Sequence, residues 1–294
     1  MNKFSRIAAA CALPLLAVLL PAACASSGAA AGKKKPVILV VSFGTSFNDS
    51  RAETIGAVEK AIAAAYPAYE QRRAFTSQII IDRVYERDGE KIDNLAEAME
   101  KLRKDGVREV AVQPTHVMNG FEYDEMREAI KPFEKDFARI SYGLPLLSSD
   151  ADFNEVAEII VGETKQYDGE DTAIVFMGHG TEHEANSAYA KLDKILKDGG
   201  HPNYIIGTVE AEPSLDDVIE QLDGLGVKNV VLLPFMIVAG DHANNDMAGD
   251  EDDSWKSVLQ SRGYTAQPVL RGLGQYPEIQ AMFVRHAGEA VGRL

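Results

Sequence analysis

The chain has 294 residues, enough for two ordinary domains or one large α/β unit. Residues 1–35 hold five cations and no acid, which leaves 25 basic against 45 acidic residues and a formal charge of −20 beyond them. Such a body argues against nucleic acid or an anionic membrane as partner, and an anionic substrate would need local cations.

The first segment is a leader. Lys3 and Arg6 precede an apolar stretch, 7–20, broken only by Pro14, and Ala23-Cys24-Ala25 offers a small-x-small cleavage site. This predicts a secretory signal peptide over 1–25, too short in its apolar core for a good membrane span, and hence export to the periplasm. Lipidation at Cys24 competes with simple cleavage, although Pro21 stands where that signal wants Leu. Both cysteines, Cys11 and Cys24, lie in the leader, so a chain starting after Ala25 has no disulfide and no thiolate ligand. Residues 26–35 are expected to form a flexible tether.

Short apolar runs follow, alternating with segments of helical periodicity. The strands expected from these runs are 37–43, 107–114, 140–144, 174–178, 205–209, 230–234 and 266–270. Helices are expected over 50–65, 93–104, 152–165, 184–197, 214–222, 252–262 and 277–291. Two stretches match at equal spacing: Val107 to Pro114 reaches Gly120 six residues after the proline, and Val227 to Pro234 reaches Gly240 in the same way. Each follows a helix-stopping glycine, Gly106 or Gly226. The expected fold class is therefore α/β, with two pseudo-repeated halves, 36–148 and 149–294, each a parallel sheet flanked by helices and facing the other across a cleft.

Three strand ends in the second half carry metal-binding side chains: His179 in Met177-Gly178-His179-Gly180, Glu210 after Gly207-Thr208-Val209, and His242 after Gly240-Asp241. Ligands bind outside the carboxyl ends of parallel strands, so two imidazoles and a carboxylate should meet there. That set suits a borderline divalent metal with positions left open. The glycines flanking His179 would leave its imidazole unshielded, and Asp241 would orient an imidazole ligand from behind.

His116 ends the equivalent first-half strand, with a substrate-side role and a satisfied buried histidine equally open. His183 could reach the rim, while His201 and His286 read as surface residues. No Walker loop or Ser-His-Asp order is convincing, and a zinc hydrolase with the same ligands stays open in principle.

Beyond spacing, the chain after the leader resembles the anaerobic sirohydrochlorin cobaltochelatases of the class II tetrapyrrole chelatase group, relatives of ferrochelatase. The resemblance is carried by Ser42-Phe43-Gly44-Thr45-Ser46, Arg73-Ala74-Phe75-Thr76-Ser77 and Asn119-Gly120-Phe121-Glu122-Tyr123 in the first half. In the second half it is carried by Phe176-Met177-Gly178-His179-Gly180, Thr208-Val209-Glu210 and Gly240-Asp241-His242-Ala243-Asn244-Asn245-Asp246-Met247. It implies a chelatase-like fold, ATP-independent insertion of Co(II), or of Fe(II), Ni(II) or Zn(II), into sirohydrochlorin, and metal ligation by His179, Glu210 and His242. His179 would also accept a pyrrole proton.

The leader sets the chain apart from the cytoplasmic members and resembles the periplasmic chelatases of sulfate-reducing bacteria. Some of these are homo-oligomers carrying a haem between subunits, for which no ligand is assigned here. The substrate's carboxylates call for cations, for which Arg51, Arg72, Arg73, Arg83 and Arg87 are candidates. Ser42, Thr45, Ser46, His116 and Tyr123 are candidate substrate contacts, and Phe43, Tyr123 and Met177 are candidates to pack on the ring. A periplasmic metal or haem carrier without turnover is the alternative function.

Overall fold

The computed structural model describes residues 35–294. The expected leader and nearly all of the expected tether lie outside them. No helix of the described residues is long and apolar enough to cross a membrane.

In the first half the chain runs β1 (Val37–Ser42), α1 (Asn48–Glu53), α2 (Ile55–Ala65), β2 (Glu70–Phe75), α3 (Gln78–Asp88), α4 (Leu95–Lys104), β3 (Glu109–Pro114), α5 (Phe121–Ile130) and β4 (Arg139–Tyr142). The second half continues α6 (Asp150–Thr164), β5 (Thr172–Gly178), α7 (Ser187–Asp198), β6 (Tyr204–Thr208), α8 (Leu215–Leu225), β7 (Asn229–Pro234), α9 (Trp255–Ser261), β8 (Thr265–Pro268) and α10 (Pro277–Val291). The strands form two parallel four-stranded sheets, ordered β2-β1-β3-β4 and β6-β5-β7-β8. One strand order written twice is what the repeated sequence pattern requires.

The central strands form because their residues are apolar on both faces. Val37 to Ser42 and Ala173 to Gly178 are all buried, which suits strands covered by helices on each side. The helix starts are set locally. Asn94 and Glu97 make a reciprocal capping box on α4, and Ser214 and Asp217 make one on α8.

One apolar cluster runs through both halves. It joins Ile38, Val40 and Ala111 of the first sheet to Ile174 and Phe176 of the second and to Met282 and Phe283 of α10. The last helix thus returns to the first half, where the Ser141 hydroxyl donates to the Ala290 carbonyl at 2.7 Å and the Tyr66 hydroxyl to that of Val284 at 3.1 Å.

His286 corrects the surface reading given to it. It lies buried on the inner face of α10, with Nδ1 3.2 Å from the Leu144 carbonyl and Nε2 3.2 Å from Asp152 Oδ1. Asp152, itself buried at the start of α6, also accepts from the Ser149 hydroxyl at 2.7 Å and from Arg285 at 3.1 Å. Burial alone would push the Asp152 carboxyl up; the Ser149, His286 and Arg285 partners outweigh it and hold its pKa below the ordinary value.

Removing one member of a buried charged network strands the others, so Asp152→Ala is expected to cost about 3–5 kcal/mol at neutral pH. A depressed carboxyl stabilises above its unfolded pKa, and that contribution fades as pH falls below about 4. Urea denaturation of both proteins at pH 7 and pH 3 should show the difference shrinking at the lower pH.

Candidate metal centre and cleft

The carboxyl ends of β5, β6 and β7 deliver three side chains to one point. His179 follows β5 directly, and Glu210 follows β6 with its amide donating to the His179 carbonyl at 2.8 Å. His242 arrives from the loop after β7. One ligand atom from each of the three lies within 4.8 Å of the other two, and the imidazole rings stand edge to face with centroids 4.7 Å apart.

The flanking glycines have a packing reason. A Cβ at Gly178 would meet Tyr189 Cε1 at 2.2 Å, and one at Gly180, where φ is +87°, would meet the Ala211 nitrogen at 2.7 Å. Glycine therefore lets the turn lie flat against Tyr189 and Ala211, and this holds the imidazole at the cleft edge.

Both imidazoles have Nδ1 engaged by an acceptor. His179 Nδ1 lies 2.8 Å from the Gly180 carbonyl, and His242 Nδ1 lies 2.9 Å from Asp246 Oδ2. An acceptor at Nδ1 requires the proton there, which leaves each Nε2 lone pair free to bind a cation. The partner of His242 is Asp246, not the expected Asp241. A π-helical turn over Ala243–Met247 carries Asp246 back onto the ring four residues earlier, whereas Asp241 lines the cavity.

The triad opens on a cavity of about 530 Å³ lined by both halves. Across it stand the loop after β1, residues 43–47, the segment after β3, residues 115–118, and the start of α5. Glu122 on α5 escaped the sequence reading. Although it is solvent-exposed at the cleft mouth, the nearby cleft walls push its carboxyl pKa up, and the charge of a protonated His179 would pull it partly back. The repeat held the clue: Glu122 stands two residues after Gly120, as His242 stands two after Gly240.

Residues 36–292 match the model of the cobalt chelatase family (CbiK). The chain belongs to that family. The sirohydrochlorin cobaltochelatase of Salmonella typhimurium is 41% identical over 254 residues, which covers 86% of this chain and 96% of the relative. The sirohydrochlorin cobaltochelatase CbiKC of Nitratidesulfovibrio vulgaris is 33% identical over 259 residues, covering 87% and 91%. Among solved structures, SirB from Bacillus subtilis with Fe3+ superposes with a TM-score of 0.62 at 17% identity, over 87% of this chain and 96% of that one. At that identity the likeness speaks for the fold alone, and the fold is the two-half α/β chelatase architecture.

The other expected contacts of this cobalt chelatase family member divide sharply. Ser42, Thr45, Ser46 and His116 line the cavity. Ser42 and Thr45 are buried, and the Ser42 hydroxyl accepts from that of Thr115 at 2.8 Å. His116 is buried but not satisfied, because among the described residues no group hydrogen-bonds either ring nitrogen. Tyr123 lies off the cleft: it is part of the first-half core, and its hydroxyl faces the Gly143 carbonyl at 3.4 Å. Met177 is likewise core, on the buried face of β5. Phe43 alone of the three ring-packing candidates lines the cavity.

The arginines resolve by their partners. Arg51 donates to Glu90 and to the Thr45 carbonyl, Arg72 pairs with Glu70 and Asp105, Arg73 grips both oxygens of Glu59, and Arg87 pairs with Asp88. Arg83 lines the cavity and, among the described residues, meets no carboxylate within ion-pair distance. His183 packs against Phe121 and faces Asp124 at 3.6 Å, and His201 lies edge-on to Tyr204.

Proposed function

We propose that the chain inserts Co(II) into sirohydrochlorin without nucleotide, the metal being held by His179, Glu210 and His242. The convergence of their ligand atoms in the inter-half cleft carries the reading, and the activity named for the two relatives supports it. Two neutral imidazoles and a carboxylate bind Co(II) firmly, yet leave coordination positions for incoming pyrrole nitrogens, and the same N/O set accepts Fe(II), Ni(II) or Zn(II). Insertion displaces two pyrrole protons. His179 is the expected acceptor; with its Nε2 lone pair given to the metal it would have no site left for a ring proton. Glu122, solvent-exposed at the cleft mouth and with a raised pKa, is suited to take protons from the ring and pass them to water. The leader reading places this activity outside the cytoplasm.

The test mixes purified protein, sirohydrochlorin and Co(II) anaerobically and follows the visible spectrum, with His179→Ala beside it. Insertion above the protein-free rate, lost in the variant, is expected; stoichiometric metal binding with no acceleration would mean a carrier instead.

Among the described cavity-lining residues, Arg83 is the cation left to meet a substrate carboxylate. Because it is solvent-exposed, its pairing is worth up to about 1 kcal/mol. Arg83→Ser is therefore expected to raise KM for sirohydrochlorin about fivefold with little change in kcat, as steady-state kinetics would show.

A further inference from the structure

The two halves can be aligned residue by residue from their hydrogen bonds. Val41 pairs with Pro114 as Met177 pairs with Pro234. The amides of Thr76 and Ser77 donate to the carbonyls of Ser42 and Phe43, just as those of Val209 and Glu210 donate to Gly178 and His179. Asp124 donates to the Gly120 carbonyl at 3.2 Å, and Asn244 to that of Gly240 at 3.1 Å. Gly44 and Gly180, each following the key residue, both have positive φ. The first-half counterparts of His179, Glu210 and His242 are therefore Phe43, Ser77 and Glu122. Where the second half presents an imidazole to the cleft, the first presents a phenyl ring.

That ring is placed unusually for an apolar side chain. Phe43 is 48% exposed, yet lines the cavity. Of the six large exposed hydrophobic residues described, only Phe43 and Phe121 lie on the cleft. Phe121 already rests edge-on against His183, at 4.9 Å between centroids, whereas Phe43 has no aromatic partner among the described residues. The loop behind it is firmly held: Gly44 lies against the Phe75 ring so closely that a Cβ would come within 2.6 Å, and Arg51 grips the Thr45 carbonyl. A rigidly mounted, unpartnered aromatic face beside a metal centre suits a flat conjugated ligand.

We propose that Phe43 is the platform on which one face of the tetrapyrrole rests, set in the first half at the position the second half gives to a metal ligand. This rests on the tetrapyrrole chelatase reading and assigns the ring-binding residue within it. Stacking on a single aromatic side chain is typically worth about 1–3 kcal/mol to a flat heterocycle, so Phe43→Ala should weaken sirohydrochlorin binding by about 5- to 150-fold. Phe43→Tyr should bind as the parent does, and Phe43→Leu should fall between. Co(II) affinity should be unchanged in all three.

The measurement is equilibrium binding of metal-free sirohydrochlorin by absorbance titration, with Co(II) calorimetry on the same samples. Unchanged tetrapyrrole binding in Phe43→Ala would overturn the proposal, and so would parallel loss of Co(II) binding, which would mark Phe43 as structural. A parent protein that binds the tetrapyrrole through Phe43 but inserts no cobalt would instead sink the enzymatic reading and leave the platform standing.

Discussion

In His242→Ala, Co(II) affinity and the rate of cobalt insertion are expected to fall by more than about 100-fold, beyond the 10- to 100-fold typical of losing a residue that only orients a ligand. The reason is the count of donors. With one Nε2 gone, His179 and Glu210 are left to hold a borderline ion against water, and the open positions meant for pyrrole nitrogens would fill with solvent instead. Asp246→Ala should show the smaller effect. It leaves all three ligands in place but removes the carboxylate 2.9 Å from His242 Nδ1, so the ring loses both its fixed orientation and the preference for protonation at Nδ1. Asp246→Asn keeps an acceptor oxygen and should recover part of the loss. Calorimetric titration with Co(II), run alongside the anaerobic spectral assay, separates the three variants. If Asp246→Ala bound metal like the parent, the tautomer argument would be wrong; if His242→Ala did, the metal centre itself would lie elsewhere.

The convergence of His179, Glu210 and His242 was legible because each follows an apolar run, and a parallel sheet brings strand ends together whatever their separation in sequence. Features set by edge position or long-range pairing were not. Strand β2 reads Glu70-Gln71-Arg72-Arg73 before Ala74-Phe75, too polar for a buried strand; it lies at the sheet edge, where its outer residues meet solvent and helix carboxylates. Helix α3 opens with the run Ile79-Ile80-Ile81, of which only Ile81 is in the core, Ile80 faces the cavity and Ile79 is exposed, so no helical period shows.

The orienting role moved from Asp241 to Asp246 because a π-helical turn changes which residue meets the ring, and spacing alone does not announce one. The arginines were unreadable for a different reason. Partners such as Glu59 for Arg73 or Glu90 for Arg51 are brought near only by the fold. His286 was readable: Ile279, Met282, Phe283, His286, Ala287 and Ala290 make one continuous buried stripe, and the histidine sits inside it.

His116 gives the second large effect. It stands just beyond the carboxyl end of β3, 5% exposed, with no partner on either nitrogen among the described residues. Burial pushes its imidazole from the ordinary 6.5 down to about 4. Between those values the unfolded chain takes up a proton that the folded chain refuses, so each step of acidification favours unfolding, and stability rises again with pH until it levels off above about 6.5. Between pH 7 and pH 4.5 this one residue should remove roughly 2–3 kcal/mol. Glu122 works in the opposite sense, since a carboxyl whose folded pKa is raised binds its proton more readily in the native state.

His116→Leu isolates the imidazole's share. Replacing an unpaired buried polar ring with an apolar side chain of similar size should raise stability at pH 7 by about 1–3 kcal/mol and flatten the acid limb of the curve. Urea denaturation of the parent and the variant at pH 7 and pH 4.5 measures both terms. An unchanged slope with pH in His116→Leu would mean that the imidazole takes up its proton as readily in the folded protein as in the unfolded chain, and that a partner satisfies it within the cleft wall.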